Sequence, residues 1–253
     1  SWRKNFWHKM VNVKKLVKRF DRVVAVSENT KRDIIELCGA AENKIKIIYS
    51  GAGKEFRKIL NTDSDANKLS AIKNKYSLPD KFIFYLGTIE PRKNVEGIIR
   101  AYNEVRSKNK ELENVKLVIA GGKGWKSEKI YKEWQGSEFQ SDIKFLDYVD
   151  SEDKAYLYNL ASVFVYPSFY EGFGLPPLEA MACGVPVVAS YSSSLPEVVG
   201  GAALMVDPYN ISDIARAIQK ILTDENLKNK LIKQGLERAK KFSWEKAARG
   251  YLE

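Results

Sequence analysis

Short apolar runs alternate with amphipathic stretches along the chain from residue 81 onward. Continuous apolar runs predict buried strands, and apolar residues spaced by three or four predict helices. The predicted strands are 82–86, 116–120, 143–145, 163–166, 185–189 and 203–206. The predicted helices are 95–107, 128–139, 152–160, 177–182, 211–222 and 226–240. This alternation predicts an α/β fold with a doubly wound, Rossmann-like parallel sheet covered by helices on both faces.

Upstream of residue 81 the predicted elements are shorter and less regular. Strands are predicted at 22–26 and 44–48. A helix over 28–37 lies between them, with Ser27 as a suitable N-cap and Gly39 just past its end.

The chain therefore divides into two unequal parts. Residues 57–80 are polar, and we expect them to be irregular. Too little chain precedes residue 53 to build an independent core. We interpret 1–52 as the tail of a preceding domain with its linker, and 53–253 as the main domain.

The formal net charge of +10 indicates an affinity for anions such as nucleic acid, an acidic membrane surface or a phosphorylated substrate. Residues 1–20 hold seven Lys or Arg and no acidic residue. Their apolar residues recur at helical spacing, which predicts a basic amphipathic helix. That helix could dock on a domain or lie on anionic lipid. Nucleic acid is disfavoured because no nucleic-acid-binding motif accompanies the charge.

Cysteine and histidine content narrows the chemistry. Cys38 and Cys183 lie far apart, and we expect free thiols in a reducing compartment. The single histidine, His8, has no companion for metal binding or for nucleophilic catalysis, so no metal site is predicted. Asp63-Ser64-Asp65 has a D-x-D form, but no strand leads into it, and we expect a solvated loop.

Residues 163–190 contain the strongest candidate for a binding site. A predicted strand runs into a loop with Glu171, Gly172 and Gly174, then into a helix that opens at Pro176 and carries Glu179. Bare backbone N–H groups and the positive end of the helix dipole favour an anion at such a helix start. We expect this stretch to form an anion cradle.

A second candidate motif is the segment 87–94, which follows a predicted strand and precedes a helix. Arg92 and Lys93 would lie beside that helix, which Asn94 could cap, and they would hold a diphosphate as a planar fork and a point charge. A solvated basic turn is the alternative. Glu171 has no evident structural role. Glu179 could stabilise its helix by interacting with the helix dipole, or it could accept hydrogen bonds from a ribose.

Taken together, these motifs resemble the family 4 retaining glycosyltransferases, which have the GT-B fold. Glu171-Gly-Phe-Gly-Leu-Pro-Pro-Leu-Glu179 resembles their E-x7-E signature, and Gly87-Thr-Ile-Glu-Pro-Arg-Lys-Asn94 resembles the phosphate-binding turn of bacterial mannosyltransferases. The resemblance covers about residues 22–253. It implies that the chain holds the carboxyl-terminal, nucleotide-sugar-binding half of a GT-B fold and a remnant of the amino-terminal domain.

The family's site residues map onto matching positions of this chain. The resemblance implies catalytic roles for Glu171, whose counterpart touches the transferred sugar, and for Lys93 and Arg92 at the donor diphosphate. The implied donor-binding residues are Gly87, Thr88, Val149, Gly172, Phe173, Gly174, Leu175 and Glu179. Glu179 would hold the ribose, and Val149 would lie at the base-binding edge. Many members have Arg where this chain has Thr88, which leaves more of the charge to Lys93 and Arg92.

The activity implied by the resemblance is retaining transfer of a hexose, with mannose favoured, from a nucleoside diphosphate sugar to a glycan or lipid-linked acceptor. GDP-mannose is the favoured donor, and no metal or other cofactor is expected. The expected setting is the cytoplasm, with peripheral contact to an anionic inner membrane face through the basic helix and no nucleic acid as partner. We expect the chain alone to transfer little sugar. A GT-B sugar-nucleotide epimerase and a non-catalytic membrane- or protein-binding module remain as alternatives.

Overall fold

The computed structural model describes residues 12–59 and 63–253, apart from the side chains of Asp63 and Ser64. Its strands are β1 (Val23–Ala25), β2 (Ile45–Ile47), β3 (Lys81–Leu86), β4 (Val115–Ala120), β5 (Ile143–Leu146), β6 (Val163–Tyr166), β7 (Val187–Ser190) and β8 (Ala203–Val206). Its α-helices are α1 (Val13–Arg19), α2 (Glu28–Cys38), α3 (Asp63–Lys75), α4 (Val95–Lys108), α5 (Glu128–Gln135), α6 (Lys154–Leu160), α7 (Leu175–Ala182), α8 (Leu195–Val199), α9 (Ile211–Thr223), α10 (Glu225–Ala239) and α11 (Trp244–Leu252).

Six of these strands form one parallel sheet in the order β5-β4-β3-β6-β7-β8. Helices α4, α5 and α9 pack together as one group, and α3, α6, α7 and α10 pack together as another. Right-handed crossovers that leave β3 and β6 in opposite directions place these groups on opposite faces. The predicted doubly wound, Rossmann-like α/β fold is confirmed.

The strand order reverses between β3 and β6, which are hydrogen-bonded neighbours. The chain leaves their carboxyl ends toward opposite faces, which opens a crevice at the rim of the sheet. Tyr85 near the end of β3 and Tyr166 at the end of β6 stack there, with ring centroids 5.9 Å apart. This switch point therefore brings the loop 87–94 next to the loop 167–175.

The expectation that residues 57–80 are irregular is wrong, because α3 spans Asp63–Lys75. Helix α3 packs against α6, and its Ile72 packs against the main core. Tyr76 donates to Asp153 at 2.7 Å, next to the Lys75–Asp153 ion pair. Those partners are distant in sequence, so the polar segment alone gave a weak helical pattern. The expected loop at Asp63-Ser64-Asp65 is likewise backbone of this helix; the side chains of Asp63 and Ser64 lie outside the described residues.

Other differences from the predicted elements have local causes. Helix α5 ends at Gln135 rather than at residue 139, where Gly136, a residue of low helix propensity, follows. Strand β7 begins at Val187 rather than at 185, because Pro186 has no N–H to donate to the sheet. Helices α8 and α11 are absent from the sequence-based prediction.

The segment before residue 50 has its own small parallel sheet of β1 and β2, with a core of Ala25, Ala40 and Ile45. Ser27 caps α2 by accepting from the N–H of Thr30, and Gly39 ends it in a left-handed conformation, as predicted. Most of the predicted basic helix lies outside the described residues, including His8; its end, α1, exposes Val13 and Leu16. No helix in the described ranges is long and apolar enough to cross a membrane. The division of the chain after residue 52 stays a prediction.

Candidate functional site

The crevice between β3 and β6 contains a buried lysine. Lys93 is only 8% exposed, and its Nζ donates to the hydroxyl of Tyr166 at 2.6 Å and to Glu171 Oε1 at 2.7 Å. Burial lowers the pKa of the Lys93 ammonium, and the Glu171 carboxylate opposes that shift. A lysine ammonium has three donors, so one N–H of Lys93 remains available for an anion.

Glu171 also binds the second cation of the site. Arg92 Nη1 lies 3.0 Å from Glu171 Oε2, and Arg92 Nη2 lies 2.7 Å from Glu90 Oε1. Glu171 is buried, and its carboxylate forms ion pairs with both cations at the rim of the sheet. The interpretation that Glu171 has no structural role is wrong. Lys93 is therefore not a solvated residue of a basic turn, whereas Arg92 is ion-paired but keeps a side chain that is 39% exposed.

The turn that follows Glu171 offers backbone donors. The carbonyl groups of this turn are already used, because they accept hydrogen bonds from side-chain hydroxyls. The Gly172 oxygen accepts from Ser27 at 2.6 Å and from Thr30 at 3.0 Å, and the Phe173 oxygen accepts from Ser194 at 2.6 Å. The N–H groups of residues 172–175 donate to no atom of the described chain. Unpaired, consecutive N–H groups are a feature of anion-binding nests.

Three of these donors, at Gly172, Phe173 and Gly174, lie in the turn, and only the N–H of Leu175 belongs to the helix start that the sequence suggested. Helix α7 begins at Leu175, and its next two residues, Pro176 and Pro177, have no N–H. Gly174 adopts φ +118°, which side chains rarely allow, and this conformation turns the chain into the helix. The glycine is therefore required by the turn, as well as giving a ligand access.

Glu179 lies one turn into α7 and accepts a hydrogen bond of 2.9 Å from the hydroxyl of Tyr158. Burial raises the pKa of the Glu179 carboxyl above its ordinary value of 4.5, and the Tyr158 hydrogen bond acts in the opposite direction. The folded protein therefore holds a proton at Glu179 more tightly than the unfolded chain. The contribution of Glu179 to the free energy of unfolding is therefore fully present below pH 4.5, the ordinary pKa of the group. It is lost as the pH rises through the higher pKa of the folded state.

Replacing Glu179 with glutamine removes this pH dependence. Since glutamine keeps a neutral oxygen that can accept from Tyr158, the variant should gain free energy of unfolding relative to the unsubstituted chain as pH rises from about 4 to about 8. Urea denaturation at both pH values measures the gain. Glu237→Gln is the control, because a hydrogen bond from Lys240 lowers the pKa of the exposed Glu237. A Glu179→Gln gain that does not increase with pH contradicts the assignment.

The remaining sequence-predicted residues differ in accessibility. Thr88 is exposed two residues after the end of β3, next to the half-buried Gly87. Val149 is 3% exposed and packs in the main core, whereas the neighbouring Tyr148 is 73% exposed. Asn94 occupies the N-cap position of α4 but does not cap it; its amide donates to the carbonyls of Pro167 and Pro208.

Several residues that shape the site were not identified from the sequence. Ser27 and Thr30 reach Gly172 from α2, and the Glu197 carboxylate accepts from the first N–H groups of that helix, at Glu28 and Asn29. The only sequence signal was the Ser27 cap. Among the described residues, no group of three or more His, Cys, Asp or Glu could hold a metal ion.

Known proteins resemble this chain over the part that contains the site. The family model described as "Glycosyl transferases group 1" matches residues 68–238. The chain is 38% identical over 234 residues to serotype-specific mannosyltransferase WbdA of Escherichia coli, covering 91% of this chain and 28% of that protein. It is 38% identical over 224 residues to O-antigen chain mannosyltransferase B of Escherichia coli, covering 88% of this chain and 57% of that protein. The chain thus spans less than two thirds of either relative.

Solved structures show the same fold. Sucrose-phosphate synthase from Thermosynechococcus elongatus has a TM-score of 0.79 at 26% identity, covering 95% of this chain and 59% of that one. Anabaena Alr3699/HepE in complex with UDP and glucose has a TM-score of 0.83 at 18% identity, covering 95% of this chain and 64% of that one. The second likeness bears on the fold alone.

Proposed function

Because this chain belongs to the group 1 glycosyl transferase family, we propose that its rim site binds a nucleoside diphosphate sugar as the donor for glycosyl transfer. The observation that carries the proposal is the meeting of two loops at the switch point. Lys93 and Arg92 from one loop contact Glu171 of the other, directly before four unpaired N–H groups. Fixed positive charge and consecutive unpaired donors suit a diphosphate.

In this proposal the rim site stabilises the leaving group. As the bond between the sugar C1 and the diphosphate oxygen breaks, negative charge grows on the diphosphate. Lys93, Arg92 and the N–H groups of 172–175 oppose that charge without reorganising, which lowers the barrier. A metal ion is not required for this role, since fixed cations supply the positive charge.

The two glutamates have separate tasks in the same proposal. Glu171, held by two cations, orients the transferred sugar, and Glu179 accepts from the ribose hydroxyls, so that C1 is held in place for attack. The acceptor hydroxyl attacks from the face that the diphosphate leaves, and the leaving phosphate takes its proton, which retains the configuration at C1.

Mannose is the proposed sugar and GDP-mannose the proposed donor, because the two Escherichia coli relatives are named mannosyltransferases. A glycan or a lipid-linked glycan is the proposed acceptor. Cys38 and Cys183 are free thiols, in keeping with the reducing cytoplasm that we propose as the setting.

Calorimetric titration of the chain with GDP, GDP-mannose, UDP-glucose and GMP tests this proposal. We expect GDP and GDP-mannose to bind and GMP to bind at least about tenfold more weakly, because GMP lacks one of the two phosphates that the cations and N–H groups hold. GMP serves as the matched control, since it keeps the base and the ribose. Equal affinities for GDP and GMP would show that the rim site does not hold the diphosphate.

A further inference from the structure

A cavity of about 830 Å³ lies beside the rim site, on the side away from α7. Its walls are the first turns of α4 and α5 and the loop between β8 and α9. Pro91 and Asn94 line it, whereas Arg92 and Lys93, between them in sequence, contact Glu171. The turn 91–94 is thus a wall shared by the cavity and the rim site.

Solvent-exposed aromatic rings line this cavity. Trp125, in the loop after β4, is 59% exposed, and Tyr209, in the loop after β8, is 77% exposed. Phe169 forms part of the same wall, with its ring centroid 4.7 Å from that of Tyr209. Large rings left in water on a concave surface indicate a binding site. An aromatic ring offers an apolar face, and tyrosine adds a polar hydroxyl, which together match the C–H and O–H groups of a sugar.

The charges around the cavity are nearly balanced, in contrast to the net +10 of the chain. The charged residues that line it are Glu96, Glu128, Arg100, Lys126 and Lys129. Arg100 is already paired with Glu96 at 2.6 Å and with Glu133 at 2.9 Å. Such a surface has many hydrogen-bonding groups but little net field, so it favours a neutral polar ligand over a polyanion such as nucleic acid.

The cavity continues as a groove. A shallower depression of about 520 Å³ shares Glu96, Arg100 and Lys129 with it and extends between α4 and α5 as far as Gly136. A compact ligand would need only the cavity, whereas a continuous groove suits an extended chain. We propose that this groove, from Trp125 and Tyr209 to Gly136, binds a stretch of neutral oligosaccharide. It rests on the proposed function, which requires a glycan next to the rim site.

Titration of the full chain with α-linked mannotetraose, free mannose and GDP tests the groove. We expect the tetraose to bind and mannose to bind far more weakly. Trp125→Ala and Tyr209→Ala should each weaken tetraose binding about tenfold, since each removes a stacking ring. GDP affinity should be unchanged. Trp125→Phe and Tyr209→Phe keep a ring and should retain most of the tetraose affinity. The melting temperatures of all four variants should equal that of the unsubstituted chain, because both side chains are largely exposed.

Trp244→Ala is the matched control, because Trp244 is 50% exposed on α11 and does not line the groove. Tetraose affinity should not change in this variant. If the unsubstituted chain binds GDP but not tetraose, the groove proposal is overturned and the rim site stands. If the tetraose binds but GDP does not, the groove is supported while the proposed donor site fails. If Trp125→Ala weakens GDP binding, the groove is part of the donor site and the inference is overturned.

Discussion

A Lys93→Met variant is expected to lose about 3 kcal/mol of the free energy of unfolding, because removing one partner of a buried ion pair leaves the other charge buried. The side chains of Lys93 and Glu171 are 11% and 9% exposed, and their atoms are 2.7 Å apart. Arg92 still contacts Glu171 at 3.0 Å, which places the loss at the lower end of the range for such pairs. Urea denaturation near pH 7 measures it.

The second variant, Lys93→Met with Glu171→Gln, separates stability from binding. With the buried carboxylate replaced by a neutral amide, we expect much of the stability to return, since a neutral pair no longer leaves a charge uncompensated. GDP affinity should stay reduced by about 1.5–3 kcal/mol, the contribution of a hydrogen bond to a charged group. Calorimetric titration of both variants measures this difference.

Lys108→Met is the matched control. Lys108 pairs with Glu104 at 2.6 Å, but its side chain is 67% exposed, and exposed pairs of this kind contribute at most about 0.5 kcal/mol. A Lys93→Met loss no larger than that of Lys108→Met would contradict the buried pair. Full GDP affinity in Lys93→Met would remove Lys93 from the donor site.

The second large effect is expected at Gly121, at the carboxyl end of β4. We expect Gly121→Ala to lower the free energy of unfolding by about 3 kcal/mol or more, from a disallowed backbone conformation and overpacking combined. Gly121 has φ +134°, and a β-carbon there would lie closer than 3.0 Å to the Gly87 carbonyl group. The obstacle is backbone in a neighbouring strand end, so a side-chain rotation cannot relieve it.

Gly122→Ala is a control one residue away. A β-carbon at Gly122 would meet nothing within 4 Å, so we expect a change within about 0.5 kcal/mol. Chemical denaturation of the two variants under the same conditions measures the contrast. Equal stabilities would mean that the loops after β3 and β4 are not in close contact. The close approach of the Gly87 carbonyl group is thus the structural reason for a glycine at position 121.

Local pattern was sufficient for most of the sheet. The buried strand Val163–Tyr166 is a continuous apolar run, and its length matches the structure because burial on both faces requires apolar residues at every position. The helices between them fix parallel pairing through right-handed crossovers. Helix α3 was missed because its stability depends on packing against α6 and on Asp153, which are distant in sequence.

The sequence by itself determined the parallel α/β fold, the two loops at its rim and the residues that those loops carry, because burial and backbone conformation leave periodic and positional signals along the chain. Only the tertiary structure decided how those residues are used. Glu171 is buried between Arg92 and Lys93, hydroxyls of Ser27, Thr30 and Ser194 occupy the turn's carbonyls, and its N–H groups stay unpaired. Such pairings join segments that are far apart in sequence, and no local pattern specifies which distant groups will meet.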